Sequence, residues 1–89
     1  MSIGKFLRDK RANAALTQLE VGRRLGFHKS QFISSMERGT SRPPIQVLKR
    51  MCAIYRISEE EMKQVYLSSA VRAAEARALA EWDKASCEL

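Results

Sequence analysis

The sequence is poorest in the residues that build the commoner chemical sites. Among 89 residues there is one histidine, His28, and two cysteines, Cys52 and Cys87. The cysteines are far apart and neither belongs to a Cys-x-x-Cys pair, which excludes a zinc ribbon or disulfide framework and leaves plain thiols. A lone His without a nucleophile, a carboxylate pair or a second ligand cannot assemble a catalytic or metal site, so no metal, no cofactor and no enzyme class is supported. There is no apolar run of about eighteen residues, the length a membrane helix needs. The start, "MSIGKFLRDKR", lacks the apolar stretch and small-residue cleavage site of a secretory signal, and the expected compartment is the cytoplasm. Nothing alternates with period two, and β-branched residues are scattered, which leaves no candidate strand.

Positive charge is abundant and unevenly placed. Residues 1–50 hold eleven Lys or Arg against three Asp or Glu, a net +8, whereas residues 51–89 hold five against seven, a net −2; together they make +6. The first half is therefore the candidate anion-binding half. An excess of this density fits a polyphosphate partner, against the plainer reading of a solvated surface that keeps the chain soluble.

The pattern predicts an all-α fold of five helices. Ser2 caps a first helix with Ile3, Phe6 and Leu7 at helical spacing, ending near Asn13. Thr17 and Glu20 form a capping box, so a second helix starts at Gln18; Leu25 closes it and Gly26 supplies a left-handed cap. A third runs from near Ser30 to just before Gly39. "TSRPP" is a turn that launches a fourth at about Pro44, with Ile45, Leu48, Met51 and Cys52 three and four residues apart. Ser58 and Glu61 form a further capping box, and the fifth helix meets no breaker until about Lys84, a length of about 39 Å at 1.5 Å per residue. Residues 1–57 read as the core of the domain and residues 58–89 as a long helix completing it.

The stretch "LTQLEVGRRLGFHKSQFISSMERG" raises one question: why Gly22 sits inside a helix, where it costs roughly 1 kcal/mol against Ala. Two short helices joined by a tight turn and crossing steeply need a small residue at their contact, and Gly22 meets that need. Gly26 gives the turn its positive φ, and Leu19, Val21, Leu25, Ile33 and Met36 lock the helices together. The stretch reads as a helix-turn-helix. Thr17-Gln18, Leu25-Gly26, Ile33-Ser34 and Glu37-Arg38-Gly39, in that order, resemble the Cro/phage-repressor type of this motif, the XRE family, over about Lys5 to Ile57. There are two departures. Leu25 to Gly39 counts fifteen residues where the family usually has fourteen, an insertion around His28-Lys29, and Ala15 stands where many members have Gly, which would send that loop along a different path.

The resemblance implies double-stranded DNA as the partner. It places Ser30, Gln31, Ser34 and Ser35 on the helix face that meets the major groove, with Lys29 at its start in reach of a guanine or a phosphate. The spacing agrees: residues 31, 34/35 and 38 share a face opposite Ile33 and Met36. Gln31 is the strongest base reader, because its amide can pair with adenine N6 and N7. Arg38, Thr40 and Arg42 resemble the family's phosphate-contacting loop; Gln18, at the start of the second helix, offers donors to a phosphate with the help of the helix dipole, and His28, a turn residue near DNA, is counted with the phosphate contacts. Arg11 and Glu37 resemble its internal ion pair. Arg23 and Arg24 are open between phosphate contact and solvated charge, and Phe32 reads as core edge rather than thymine contact.

On the fifth helix, Met62, Tyr66, Ser69, Ala73, Ala76 and Ala80 form a narrow seam of steps of four and three. Met62 to Leu67 should pack on the domain, but beyond Ala70 little core is left to cover the helix. Homodimerisation through Ala73, Ala76, Leu79, Ala80 and Trp82 is expected, which would set two recognition helices on pseudo-palindromic half-sites. The reading is a sequence-specific DNA-binding regulator, a repressor in the bacterial cytoplasm or nucleoid, or a phage protein in its host. An antitoxin, a restriction-modification controller and a protein-interaction adaptor that does not read DNA stay open as alternatives.

Overall fold

In a computed structural model that describes residues 2–85, the chain forms α1 (Ile3–Asn13), α2 (Gln18–Arg24), α3 (Gln31–Arg38), α4 (Ile45–Tyr55) and α5 (Glu59–Lys84), with no strand among the described residues. The expectation about Cys87 lies outside the described residues. Caps account for most boundaries. The Ser2 side chain accepts from the Lys5 N–H, and Thr17 with Glu20 makes both bonds of a capping box. At α5 only half of the expected box is present: Ser58 Oγ accepts from the Glu61 N–H, while Glu59, Glu60 and Glu61 place negative charge at the positive end of the helix dipole.

The core is assembled from one stripe of each helix. Phe6 and Leu7 of α1, Val21 and Leu25 of α2, Ile33 and Met36 of α3, and Leu48, Met51, Cys52 and Tyr55 of α4 are buried, and Met62 of α5 closes the cluster. Each fully buried Leu, Ile or Met contributes about 1.5–3 kcal/mol. Two expected members are corrected. Leu19 is 37% exposed, because it precedes Val21 by two positions and so falls on the opposite side of α2. Ile45 is 52% exposed, since it opens α4 a turn before the buried Leu48. Burial pushes the Cys52 thiol up from its ordinary value, which keeps it protonated at the α4–α5 contact.

The glycine question has two answers. A Cβ on Gly22 would sit 3.2 Å from the Lys29 carbonyl oxygen and 3.8 Å from Ile33 Cγ1, so the space is needed by the turn as it leads into α3. The tighter site is Gly4, where a Cβ would lie 2.5 Å from the Glu37 carbonyl oxygen and 2.8 Å from that of Met36. There α1 presses on the end of α3 backbone to backbone. At the loop before α2, Ala15 adopts φ 56°, the left-handed conformation that a glycine takes without strain.

α5 is half core and half overhang. Ser69 Oγ accepts from the Ile3 N–H at 2.9 Å and fixes the helix to the start of α1. Leu67, expected to pack inward, is 47% exposed, while Tyr66, Ser69 and Ala70 on the other side of the helix are half-buried; every residue from 71 to 85 is exposed.

Replacing Gly4 with Ala should destabilise the fold by about 1–3 kcal/mol, because backbone carbonyls cannot yield to the new methyl as a flexible side chain would. Gly22→Ala should cost less, since its looser contact is offset by roughly 1 kcal/mol of helix propensity. Urea unfolding of both variants measures the difference.

Candidate nucleic-acid interface

The pairing of α2 with α3 decides what the third helix can present. α2 ends where Gly26 turns to φ 91°, with the Phe27 N–H bonding the Gly22 carbonyl at 2.8 Å. Arg50 of α4 adds a clamp, donating from Nη1 to the Leu25 carbonyl at 3.1 Å and from Nη2 to that of Arg24 at 3.4 Å. It satisfies carbonyls that the helix end leaves open and holds the turn from below. Phe27 stacks on Phe32 with ring centroids 4.6 Å apart, and both rings are half-buried. Phe32 thus stands at the core edge. Six residues, 25–30, separate the two helices, and Ser30 enters α3 at φ −77°, ψ −9° without a side-chain capping bond.

α3 buries Ile33, Met36 and Glu37, keeps Phe32 at the core edge, and presents Gln31, Ser34, Ser35 and Arg38 on its outer side. Gln31 and Arg38 are exposed, Ser30, Ser34 and Ser35 are half-buried, and Lys29 and His28 are exposed on the turn before it. Arg38 Nε lies along the helix, 3.4 Å from the Ser34 carbonyl. After Gly39, at φ 82°, the Ser35 carbonyl accepts from the Thr40 N–H at 3.0 Å, the Ser41 N–H at 3.3 Å and Thr40 Oγ1 at 3.2 Å. Those bonds set the start of the loop that carries Thr40 and Arg42, both exposed. Among the described residues, Arg23, Arg24, Lys29, Arg38 and Arg42 have no carboxylate within ion-pair distance. Their charge faces solvent around a central face of uncharged side chains.

Beneath this face lies a buried carboxylate. Glu37 accepts from Arg11 Nε at 2.7 Å and Arg11 Nη2 at 3.0 Å, and from Gln18 Nε2 at 3.0 Å. Arg11 Nη1 continues to the Leu16 carbonyl at 3.0 Å. The bond to Glu37 pushes the Arg11 guanidinium further above its ordinary pKa, so it stays charged. Tyr55 lies close enough to feel both charges, and burial, reinforced by Glu37, pushes its phenol well above the ordinary range. The Gln18 side chain is therefore engaged with Glu37 inside the protein, and what it leaves for an outside anion is its place at the start of α2.

This arrangement of capped α2, glycine turn and outward-facing α3 decides the family. The chain belongs to the helix-turn-helix domain family, whose model matches residues 2–65. No curated protein and no solved structure matches it. The family supports DNA binding by this helix-turn-helix, and the matched span takes in the first turns of α5. No helix among the described residues is long and apolar enough to cross a membrane.

Gly4 and Arg50 escaped the reading of the sequence. Gly4 carried the same signal as Gly22, a glycine inside a helical pattern, and would have answered to the same argument. Arg50 carried none, because its acceptors lie 25 and 26 residues away.

Converting Glu37 to Gln should lower stability by about 2–4 kcal/mol, since it strips the charge partner from a largely buried guanidinium. A double-mutant cycle with Arg11→Gln, followed by thermal unfolding, should return a coupling of at least about 1 kcal/mol.

Proposed function

We propose that this helix-turn-helix protein is a sequence-specific, double-stranded DNA-binding transcriptional regulator of the Cro/phage-repressor type, a repressor that acts as a homodimer on a pseudo-palindromic operator in the bacterial cytoplasm. The observation that carries the reading is the make-up of α3 and its flanks. An exposed Gln31 and three serines line the outward side, framed by Lys29 before and by Arg38 and Arg42 after, none of them paired among the described residues. Uncharged donors and acceptors discriminate base edges, and unpaired cations hold phosphates whatever the sequence. In this reading Lys29, Ser30, Gln31, Ser34 and Ser35 face the bases. Arg38, Thr40, Arg42, His28 and the start of α2 at Gln18 face the backbone.

The homodimer rests on α5. Leu79 and Trp82 are 61% and 79% exposed, and Ala73, Ala76 and Ala80 continue the line of Met62 and Ser69 past the end of the domain. A second copy covering them would place two α3 helices on one duplex. Nothing in this reading calls for catalysis or a cofactor.

Selection from a random duplex pool, followed by fluorescence anisotropy on the selected site and a scrambled one, tests the reading. Binding should prefer the selected site and fall by about 10³-fold or more between 50 and 200 mM salt. Gln31→Ala should relax preference at one base pair by roughly 1–3 kcal/mol. Weak binding that ignores both sequence and salt would favour a protein-interaction adaptor. Sedimentation of Trp82→Ala should show weakened self-association, and an unchanged dimer would exclude this end of α5 as the interface.

A further inference from the structure

Two adjacent clefts lie where α5 passes the end of α3, and each holds two arginines. The first, of about 250 Å³, brings Arg38 of the α3 end beside Arg72 of α5. The second, of about 310 Å³, brings Arg42 and Thr40 of the following loop beside Arg77 of α5. Ile3, Gly39 and Ser69 line both, so the four arginines surround one continuous region of surface. Arg42 is steadied there, its guanidinium carbon 6.0 Å from the Tyr66 ring centroid.

The charge balance of this region is one-sided. Among the described residues its only acidic one is Glu37, whose carboxylate is buried and already taken by Arg11 and Gln18. Glu75, Glu81 and Asp83 of the same helix line neither cleft. Among the described residues none of the four arginines is within ion-pair distance of a carboxylate. Gathering like charges in this way opposes folding unless an anion neutralises them in the working state. The planar guanidinium is suited to phosphate oxygens. Since Arg38, Thr40 and Arg42 already lie on the flank of the reading helix, the anion nearest to hand is the backbone of the same duplex.

We propose that Arg72 and Arg77 of α5 bind DNA backbone phosphates together with Arg38 and Arg42, extending the contact beyond the helix-turn-helix to the overhanging helix. This rests on the DNA-binding reading above. It assigns Arg72 and Arg77 to affinity, and the neighbouring seam of Ala73, Ala76, Leu79, Ala80 and Trp82 to the second copy.

The test is the salt dependence of duplex binding by the full chain, wild type against Arg72→Gln/Arg77→Gln, with Arg72→Lys/Arg77→Lys and the remote Lys63→Gln as comparisons. Each lost phosphate contact should reduce the slope of log affinity against log salt by about 0.9, and should weaken binding roughly tenfold near 0.1 M salt. The expected result is a shallower slope by about two such steps per protomer, with the ratio of selected to scrambled binding unchanged. The lysine pair should keep most of the slope, and Lys63→Gln all of it. If the wild type shows its salt-dependent binding and the glutamine pair shows the same slope, the inference is overturned while the DNA-binding reading stands. A wild type whose duplex binding ignores salt removes both. If the slope changes only because sedimentation shows the dimer lost, the arginines belong to the subunit contact and the inference is overturned.

Discussion

The carboxylate of Glu37 is the point at which the domain is tied together. It lies at the end of α3, with a side chain only 2% exposed, and is reached by Arg11 from α1 and Gln18 from α2. A buried charge without partners would cost several kcal/mol, so its presence demands that all three helices arrive in one arrangement. That demand is geometric as much as energetic. The fork of Arg11 satisfies both carboxylate oxygens and then a loop carbonyl, which sets the angle between α1 and the α2–α3 pair. The outward face of α3 inherits its orientation from this inward bond. Gly4 works at the same place from the other side, by letting α1 approach the last carbonyls of α3 without a side chain between them.

What could be read in the sequence divides along the range of the interaction. The caps at Ser2, Thr17 and Gly39, the left-handed Gly26 and the extent of α5 are local, set by residues within four positions of one another, and they stand where spacing put them. Leu19 and Ile45 were misplaced because an apolar side chain in a helical pattern shows that it can be buried, not that a neighbouring element reaches it. Gln18 shows the same limit for polar groups. Its position at the start of α2 suits an external anion, yet its amide turns to Glu37, nineteen residues away. Ala15 differs again: a positive φ was legible only as a preference for glycine, yet the exposed alanine adopts it. Of the candidate site, the exposure of Gln31 and the framing cations followed from helical period and charge count. The arginines of α5 did not, because nothing local connects them to the end of α3.

On the proposed DNA-binding reading, all but one of the base-facing side chains are uncharged while most of those facing the backbone are cationic, and that division has a physical advantage. Serines and one glutamine contribute little affinity, but their donors and acceptors are left unpaired by a wrong base, which is where discrimination arises. In that reading the surrounding arginines would supply attraction that salt can weaken and sequence cannot.

The overhang of α5 can serve in such a frame because it is helical before any partner arrives. An isolated helix of fourteen residues would be marginal in water, since forming its first turn is costly. Here that turn is already formed over the core, where Ser58 caps it and Met62 is buried, so residues beyond 70 only extend an existing helix. Extension is inexpensive for a stretch rich in alanine, the best helix former. Arg72 and Arg77 are then presented at fixed angles beside α3, and Leu79 and Trp82 at fixed angles one turn further on. Binding need not order the backbone that carries these side chains, and the conformational entropy lost on association is correspondingly smaller.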